Sequence, residues 1–318
     1  MKAIICPQYG LPNVLQIQEV TKPSPQKNEI LIKIKATAVN SADWRLRKAD
    51  PFAIRLFFGF NKPKASILGG VLSGVVEAIG ENVQKFKVGD EVFGSSAMVG
   101  FGAYAEYKCL PENSVLALKP TNISHQEAAV IPFGGTTALH FLKKAQIKPG
   151  QKILINGASG AVGSAAVQLA KFWGAKVTGV CSSANVTLVK SLGADEVIDY
   201  TQEDFTKITE TYDIIMDTVN KLPISTCLKM LAKKGTLILS AAGLSEMFQG
   251  LWLSLTSKRK IMMGVIAETA EDMNFLKKLI EENQLKAVID QTFPLEKIVE
   301  AHTYAEKGHK KGNVSITI

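Results

Sequence analysis

The stretch Lys152-Ile-Leu-Ile-Asn-Gly-Ala-Ser-Gly-Ala-Val-Gly163 constrains this chain more than any other. Ile153, Leu154 and Ile155 form a short apolar run, as in a buried strand, and Pro149-Gly150 places a turn before it. From Val162 onward, Ala165, Ala166, Leu169 and Trp173 recur at helical spacing. Between strand and helix the glycines have separate jobs. Gly157 permits a tight turn, Gly160 lets backbone approach a diphosphate, and Gly163 lets the helix pack on its strand. Ala158, Ser159, Ala161 and Val162 complete the loop, and the N–H groups opening the helix face the phosphates. The first glycine spacing is wider than in G-x-G-x-x-G, so the cluster alone also fits a structural turn. The strand before it and the helix after it favour a cofactor site.

The 318 residues suggest two domains, and 46% hydrophobic with 21% charged residues is ordinary for a globular protein with a large core. Lys+Arg minus Asp+Glu is 37 − 29 = +8. The basic residues are scattered, with no stripe interleaved with aromatics, so no nucleic-acid partner is expected. Cys6, Cys109, Cys181 and Cys227 lie far apart with no C-x-x-C pair, which predicts reduced thiols in a cytoplasmic protein. The opening Met1-Lys-Ala-Ile-Ile-Cys-Pro is too poor in apolar residues for a signal peptide. No run of about 18 apolar residues predicts a membrane span.

The first residues read as strands over Met1–Cys6, Leu15–Val20 and Glu29–Lys35. Arg45–Gly59 reads as a helix with a loop, and its phenylalanines Phe52, Phe57, Phe58 and Phe60 fit either core packing or a pocket wall. Residues 67–107 alternate glycines with apolar runs, as in a small barrel. Ser124-His-Gln-Glu127 is a capping box before a helix ending at Pro132, with a second helix over Thr136–Ala145. Strands Lys152–Asn156, Lys176–Cys181, Glu196–Tyr200, Tyr212–Asp217 and Thr236–Ser240 then alternate with helices Val162–Trp173, Val186–Leu192 and Ile224–Leu231. That order predicts an α/β, doubly wound parallel sheet ending near Val265. Helix Ala270–Asn283, strand Ala287–Ile289, helix Leu295–Lys307 and strand Asn313–Ile318 close the chain.

Several landmarks together carry a family resemblance. They are Ala38-Val-Asn-Ser-Ala-Asp-Trp44, Lys87-Val-Gly-Asp-Glu-Val-Phe-Gly94, Gly134-Gly-Thr-Thr-Ala138, Gly157–Gly163, Ser191-Leu-Gly-Ala-Asp195 with Val197-Ile-Asp-Tyr200, and Gly308-His-Lys-Lys-Gly312. Over essentially the whole chain the sequence resembles the zinc-independent branch of the medium-chain dehydrogenases/reductases, the quinone oxidoreductase-like enzymes. The resemblance implies a Rossmann domain inserted in a GroES-like β-barrel catalytic domain. The expected boundaries are 1–122 and 266–318 for the catalytic domain and 123–265 for the cofactor domain. It also implies a homodimer, to which the apolar Leu251–Leu255 could contribute. The chain departs from the family pattern in having no acid within Leu68–Gly74 and no basic residue near Ala184.

A catalytic zinc needs three protein ligands. Asn40 stands where the zinc-binding branch carries a cysteine, Leu68–Gly74 has no histidine, and His125, His140, His302 and His309 are scattered, so no zinc is expected. Without a metal, hydride transfer suits acceptors polarised by conjugation, namely quinones, enones and enals. The oxygen that gains charge needs a hydrogen-bond donor. Position in the family-like segment makes Asn40 the first candidate, against the reading of a turn asparagine. Asp43 and Arg45 are candidates to orient the pocket, although Asp43 fits equally as a helix cap. Tyr104 is a candidate proton donor or a barrel-core residue. Thr137 sits where relatives approach the nicotinamide, or caps a helix.

For the cofactor, no acid follows the second strand at Cys181-Ser182-Ser183-Ala184-Asn185, where an NAD site usually has one. Ser182 and Ser183, with Lys190 nearby, suit a 2′-phosphate, so NADPH is expected over NADH. Tyr200 joins this set. Thr218, Ala241 and Ala242 follow strand ends, where backbone can hold the ribose and the nicotinamide amide; close packing is the other reading there. The expectation is an NADPH-dependent reductase of quinones or activated C=C bonds. A nucleotide-binding redox-sensing or partner-binding protein is the alternative.

Overall fold

The computed structural model describes residues 1–240 and 259–318. In chain order its strands begin with β1 (Lys2–Ile5), β2 (Gln16–Glu19), β3 (Glu29–Val39), β4 (Val71–Ile79), β5 (Glu91–Ser95), β6 (Tyr107–Pro111) and β7 (Val115–Leu118). There follow β8 (Lys152–Asn156), β9 (Lys176–Cys181), β10 (Glu196–Asp199), β11 (Tyr212–Asp217), β12 (Leu231–Leu239), β13 (Lys260–Met263), β14 (Ile289–Pro294) and β15 (Asn313–Thr317). The helices used below are α1 (Ser41–Lys48), α2 (Ile54–Phe58), α3 (His125–Ala145), α4 (Ala161–Phe172) and α5 (Val186–Ser191). The chain divides into two compact units.

The first unit comprises Met1–Phe133, Thr269–Asn283 and Ala287–Ile318. Its seven-stranded sheet runs β14-β15-β3-β4-β5-β7, with β6 also paired to β3. The long β3 serves three partners: β4 on one edge, and on the other Glu29–Lys33 pairs β6 and Ala36–Val39 pairs β15. The last strand of the chain thereby completes the sheet begun by the first part. Alternation along β3 buries Ile30, Ile32 and Ile34 against Leu72, Val76, Val92, Leu110 and Leu116. This is the half-buried pattern that the sequence predicts.

The second unit comprises Gly134–Glu268 and Gln284–Lys286. Its six strands form one sheet in the order β10-β9-β8-β11-β12-β13, every pair parallel. Numbered within the unit this is 3-2-1-4-5-6, the doubly wound order, whose direction reverses between β8 and β11.

Three expectations change. Helix α3 runs from His125 to Ala145 straight through Pro132. A mid-helix proline costs roughly 3 kcal/mol, yet Ala128–Ile131 and Ala138, Leu139, Phe141 and Leu142 are all buried, and packing of that face outweighs the break. The capping box forms as expected, with Ser124 N–H donating to Glu127 Oε2 at 2.8 Å and Glu127 N–H donating to Ser124 Oγ at 3.2 Å. The strand expected at Ala287–Ile289 lies instead at Ile289–Pro294 as β14, and β13 is an additional strand; both lie at sheet edges, where alternation is weak. The core reading of the phenylalanine cluster fails, because Phe52, Phe57 and Phe60 are each more than 60% exposed around the short α2.

Ile32 has no exposed surface at the centre of the first unit's core. Replacing Ile32 with Ala is expected to lower unfolding free energy by about 2–5 kcal/mol in urea titration. A loss under about 1 kcal/mol would contradict this packing.

Candidate active site

The cofactor side begins where β8 ends. The N–H groups of Gly157 and Ala158 both donate to the Val180 carbonyl of β9, at 3.1 and 3.0 Å. This turns the chain sharply, with Gly157 at φ +79°, a conformation that disfavours side chains. Gly160 then opens α4 in extended conformation with no side-chain cap. The N–H groups of a first helical turn have no partner within the helix, and here no capping side chain takes them. A Cβ on Gly163 would lie 2.1 Å from the Gly157 carbonyl oxygen, so only glycine lets helix and turn meet. On Gly160 the nearest atom would be 3.5 Å away, which leaves the space above it to a ligand. Gly134 of α3 passes so near the start of α4 that a Cβ there would meet Ala161 O at 2.3 Å. Ala158 is buried, Ser159 is nearly so, and Ala161 and Val162 are half-buried at the rim. These features fit a dinucleotide diphosphate.

The seam between β8 and β11 is locked by Asn156, Asp217 and Thr218. Asn156 donates from Nδ2 to Asp217 Oδ1 at 3.0 Å, and the same oxygen accepts the N–H groups of Val219 and Asn220. Thr218 donates from its hydroxyl to the Asn156 carbonyl at 2.8 Å. The loop after β11 is thus pinned to the glycine turn at the position where such sheets bind ligands.

At the end of β9, Asn185 Nδ2 donates to Ser159 Oγ at 3.1 Å and to Ser182 Oγ at 3.2 Å, while its buried Oδ1 takes no partner. Ser183 is exposed, and its hydroxyl donates to Asp199. Asp199 also accepts from the N–H and hydroxyl of Thr201. The Ser183 and Thr201 hydroxyls hold its carboxyl below the usual range. Sequence reasoning misses this acid, because it closes β10 and reaches the site only through its register with Cys181. Lys190 on α5 and Tyr200 are exposed. Thr137 lies within α3, almost wholly buried. Ala241, Ala242, Gly243 and Leu251–Leu255 lie outside the described residues.

In the first unit, Asn40 precedes α1 in extended conformation and is 3% exposed. Its N–H donates to Asp43 Oδ2 at 2.8 Å. The Tyr104 hydroxyl donates to the Ala38 carbonyl at 3.3 Å. Burial pushes the Asp43 carboxyl up to about 7, against the nearby Asn40 N–H, Tyr104 hydroxyl and Gly70 and Gly69 backbone. Asp43 and Tyr104 are both buried, and the Tyr104 hydroxyl meets the Ala38 carbonyl and His302 Nε2 in the core. Arg45 lies over the Trp44 ring, 5.5 Å from its centre. Ser73, His125 and Glu91 line up with Ser73 Oγ 2.8 Å from His125 Nδ1 and His125 Nε2 3.2 Å from Glu91, but Ser73 has no exposed surface for nucleophilic attack. Burial pushes the Cys6 and Cys181 thiols up to about 11 and Cys227 to about 12, so these cysteines are thiols and not nucleophilic thiolates at neutral pH. Among the described residues, no group of three or more His, Cys, Asp or Glu side chains is placed to hold a metal ion, and no helix is long and apolar enough to cross a membrane.

A 3-2-1-4-5-6 parallel sheet with a glycine cradle at its reversal point defines a dinucleotide-binding oxidoreductase unit. Comparison with known proteins sharpens this class. Residues 26–120 match the alcohol dehydrogenase GroES-like domain, and residues 192–315 match the model described as zinc-binding dehydrogenase. The chain is 33% identical to the chloroplast envelope quinone oxidoreductase homolog of Arabidopsis thaliana, over 95% of this chain and 93% of that protein. It is 31% identical to the chloroplastic NADPH-dependent alkenal/one oxidoreductase of the same plant, over 99% of this chain and 79% of that protein. The solved quinone oxidoreductase of Coxiella burnetii superposes with a TM-score of 0.91 at 31% identity, covering 100% of this chain and 99% of that one. The chain belongs to the quinone oxidoreductase-like medium-chain dehydrogenases/reductases, a family of NAD(P)H-dependent oxidoreductases. The cytoplasmic placement is corrected by these relatives, which are chloroplast proteins.

Gly163→Ala is expected to lower the thermal midpoint and abolish cofactor binding together. Gly160→Ala, at an angle pair that alanine adopts, is expected to keep the midpoint and weaken NADPH at least about tenfold. Calorimetry and fluorescence titration check the pair; equal destabilisation by both would contradict the cradle.

Proposed function

We propose that this chain reduces quinones and the activated C=C bonds of enones and enals at the expense of NADPH. The glycine cradle at the mouth of β8 and β11 carries this reading. It is supported by the relatives, one named a quinone oxidoreductase homolog and another an NADPH-dependent alkenal/one oxidoreductase. When bound, the reduced nicotinamide supplies the hydride; the chain's residues bind, orient and polarise. Gly157–Gly163 and the start of α4 receive the diphosphate. Thr218 holds the seam above it, and Thr137 is the candidate contact near the nicotinamide.

Asn40 is the proposed donor to the carbonyl oxygen on which charge builds, a role that needs a fixed dipole and no metal. Its carboxamide carries two N–H bonds suited to an oxyanion. Arg45, whose guanidinium lies over the Trp44 ring, is proposed to orient the acceptor. The homodimer is carried by the family resemblance alone and reads out directly in sedimentation.

NADPH is favoured over NADH by Ser182. Its oxygen accepts from Asn185, which leaves its own proton free to donate to a 2′-phosphate. Lys190 adds positive charge on the following helix. Asp199 opposes this, but its charge is engaged by Ser183 and Thr201.

Purified protein mixed with NADPH and a panel of quinones, enones and enals is expected to consume reduced cofactor, followed by its absorbance. Binding without turnover across the panel would favour the partner-binding alternative. Asn40→Ala is expected to lower kcat roughly hundredfold with NADPH affinity retained; a change confined to affinity would remove Asn40 from the chemistry. Ser182→Asp is expected to weaken NADPH more than NADH by charge repulsion, and equal effects on the two would refute this account of selectivity.

A further inference from the structure

Five serines lie between Gly157 and Thr201 in the second unit, and their hydroxyl protons have different fates. Ser164 donates to the Ala161 carbonyl, Ser191 to the Leu188 carbonyl and Ser183 to Asp199. Ser159 and Ser182 give their protons to no protein group among the described residues. These same two serines accept from Asn185 Nδ2, at 3.1 and 3.2 Å. One belongs to the glycine cradle and the other to the end of β9.

Asn185 does not do the ordinary work of its position. It stands immediately before α5, where an asparagine side chain usually accepts a backbone N–H of the first turn, yet it makes no such bond. It is instead 8% exposed and reaches Ser159 across 26 positions of sequence. Its Oδ1 is buried without a partner, which costs stability. The reversed carboxamide costs more. Its oxygen would take both serine protons, and two buried N–H bonds would then lack partners where one oxygen does now. The observed orientation therefore decides how the serines face: each accepts from Asn185 and keeps its own proton. A hydroxyl that accepts one hydrogen bond is polarised to donate a stronger one.

We propose that Asn185 is a positioning residue for the cofactor. One carboxamide turns two hydroxyls into donors, Ser159 for the diphosphate and Ser182 for the 2′-phosphate, and so couples the two anion sites. The proposal rests on the NADPH reading of the cradle. Hydrogen bonds to charged groups are the strong ones, so donors fixed before the anion arrives add to its affinity. Asn185 acts only through the serines. Its contribution must therefore vanish where they are absent, and it must be larger for NADPH, which uses both donors, than for NADH, which uses one.

The test is a mutant cycle on the full-length protein, with NADPH and NADH affinities read by fluorescence titration and the thermal midpoint by calorimetry. Asn185→Ala is expected to weaken NADPH about fivefold and NADH about twofold. In a Ser159→Ala/Ser182→Ala background the same substitution should change neither affinity. A residue that merely holds the loop would lower both affinities equally, in either background and in step with the midpoint; that result overturns the proposal. If Asn185→Ala does not fold, Asn185→Asp keeps the shape and carries the comparison at pH 8. Its carboxylate only accepts and draws both serine protons inward. Charge repulsion acts alike in both backgrounds, so the two should differ by at least about fivefold in NADPH affinity, and an equal loss in both overturns the proposal. Binding alone is read, so the outcome stands whether or not any acceptor is reduced. A wild-type chain that binds neither nucleotide fails the cofactor reading and this proposal together, whereas background-independent losses in a chain that binds NADPH fail this proposal alone.

Discussion

The Gly157 carbonyl oxygen lies where a side chain at residue 163 would begin, and much of the cofactor unit follows from that contact. A Cβ there would sit 2.1 Å from the oxygen. Because residue 163 has none, α4 starts tight against the end of β8 and its first N–H groups open at the carboxyl edge of the sheet. The strand order reverses at that edge, so neighbouring loops diverge and leave a crevice. Asn156, Asp217 and Thr218 then tie the two strand ends together. Asn185 ties the turn to the end of β9 through Ser159 and Ser182. A close approach of two backbone segments thereby sets the place for an anion, and a small set of side-chain bonds keeps the mouth in shape.

This half of the protein is legible in the sequence because its constraints are local. Glycine spacing, an apolar run before it and helical periodicity after it all fall within Lys152–Trp173. The strands β13 and β14 are harder to see, since edge strands bury one side poorly and lose their alternation. Pro132 misleads for a related reason: a local rule breaks α3, and burial on both sides of the proline restores it. Asp199 and His302 are harder still. Asp199 meets Ser183 through strand register, and His302 meets Arg47 across 255 positions of sequence. Nothing in the spacing of either residue announces its partner.

The buried polar run of the first unit, formed by Arg47, His302, Tyr104 and Asp43, is costly. Removing an arginine and a carboxylate from water costs several kcal/mol for each ion. Here Arg47 recovers part of this through Glu306, Gly10 and His302, and Asp43 through the Asn40 N–H. Apolar residues of similar volume would often be as stable or more so. Stability is therefore a poor explanation for the run, while geometric specificity is a good one. The Tyr104 hydroxyl reaches the Ala38 carbonyl at the end of β3, and Asp43 takes the Asn40 N–H and so fixes the backbone just before α1. The helix Ile298–Glu306 and the strand β15 come from the end of the chain, so the geometry around Asn40 is complete only when both ends have folded together.

The two serines after β9 show why residue type alone does not decide cofactor selectivity. Ser183 spends its proton on Asp199. Ser182 accepts from Asn185, which leaves its proton to point elsewhere. Identical side chains, adjacent in sequence, thus face a ligand as an occupied donor and an available one. Asp199 remains ionised because hydroxyl and N–H donors surround it. Its charge lies exposed, where salt screens it over about 8 Å. Lys190 and the overall excess of positive charge, +8 across the chain, act in the opposite sense at longer range. On the proposed reading, preference for a 2′-phosphate is the difference between the Ser182 bond and the residual field of Asp199. That gives a residue of strand β10 a share in the selectivity, outside the segment after the second strand where it is usually sought.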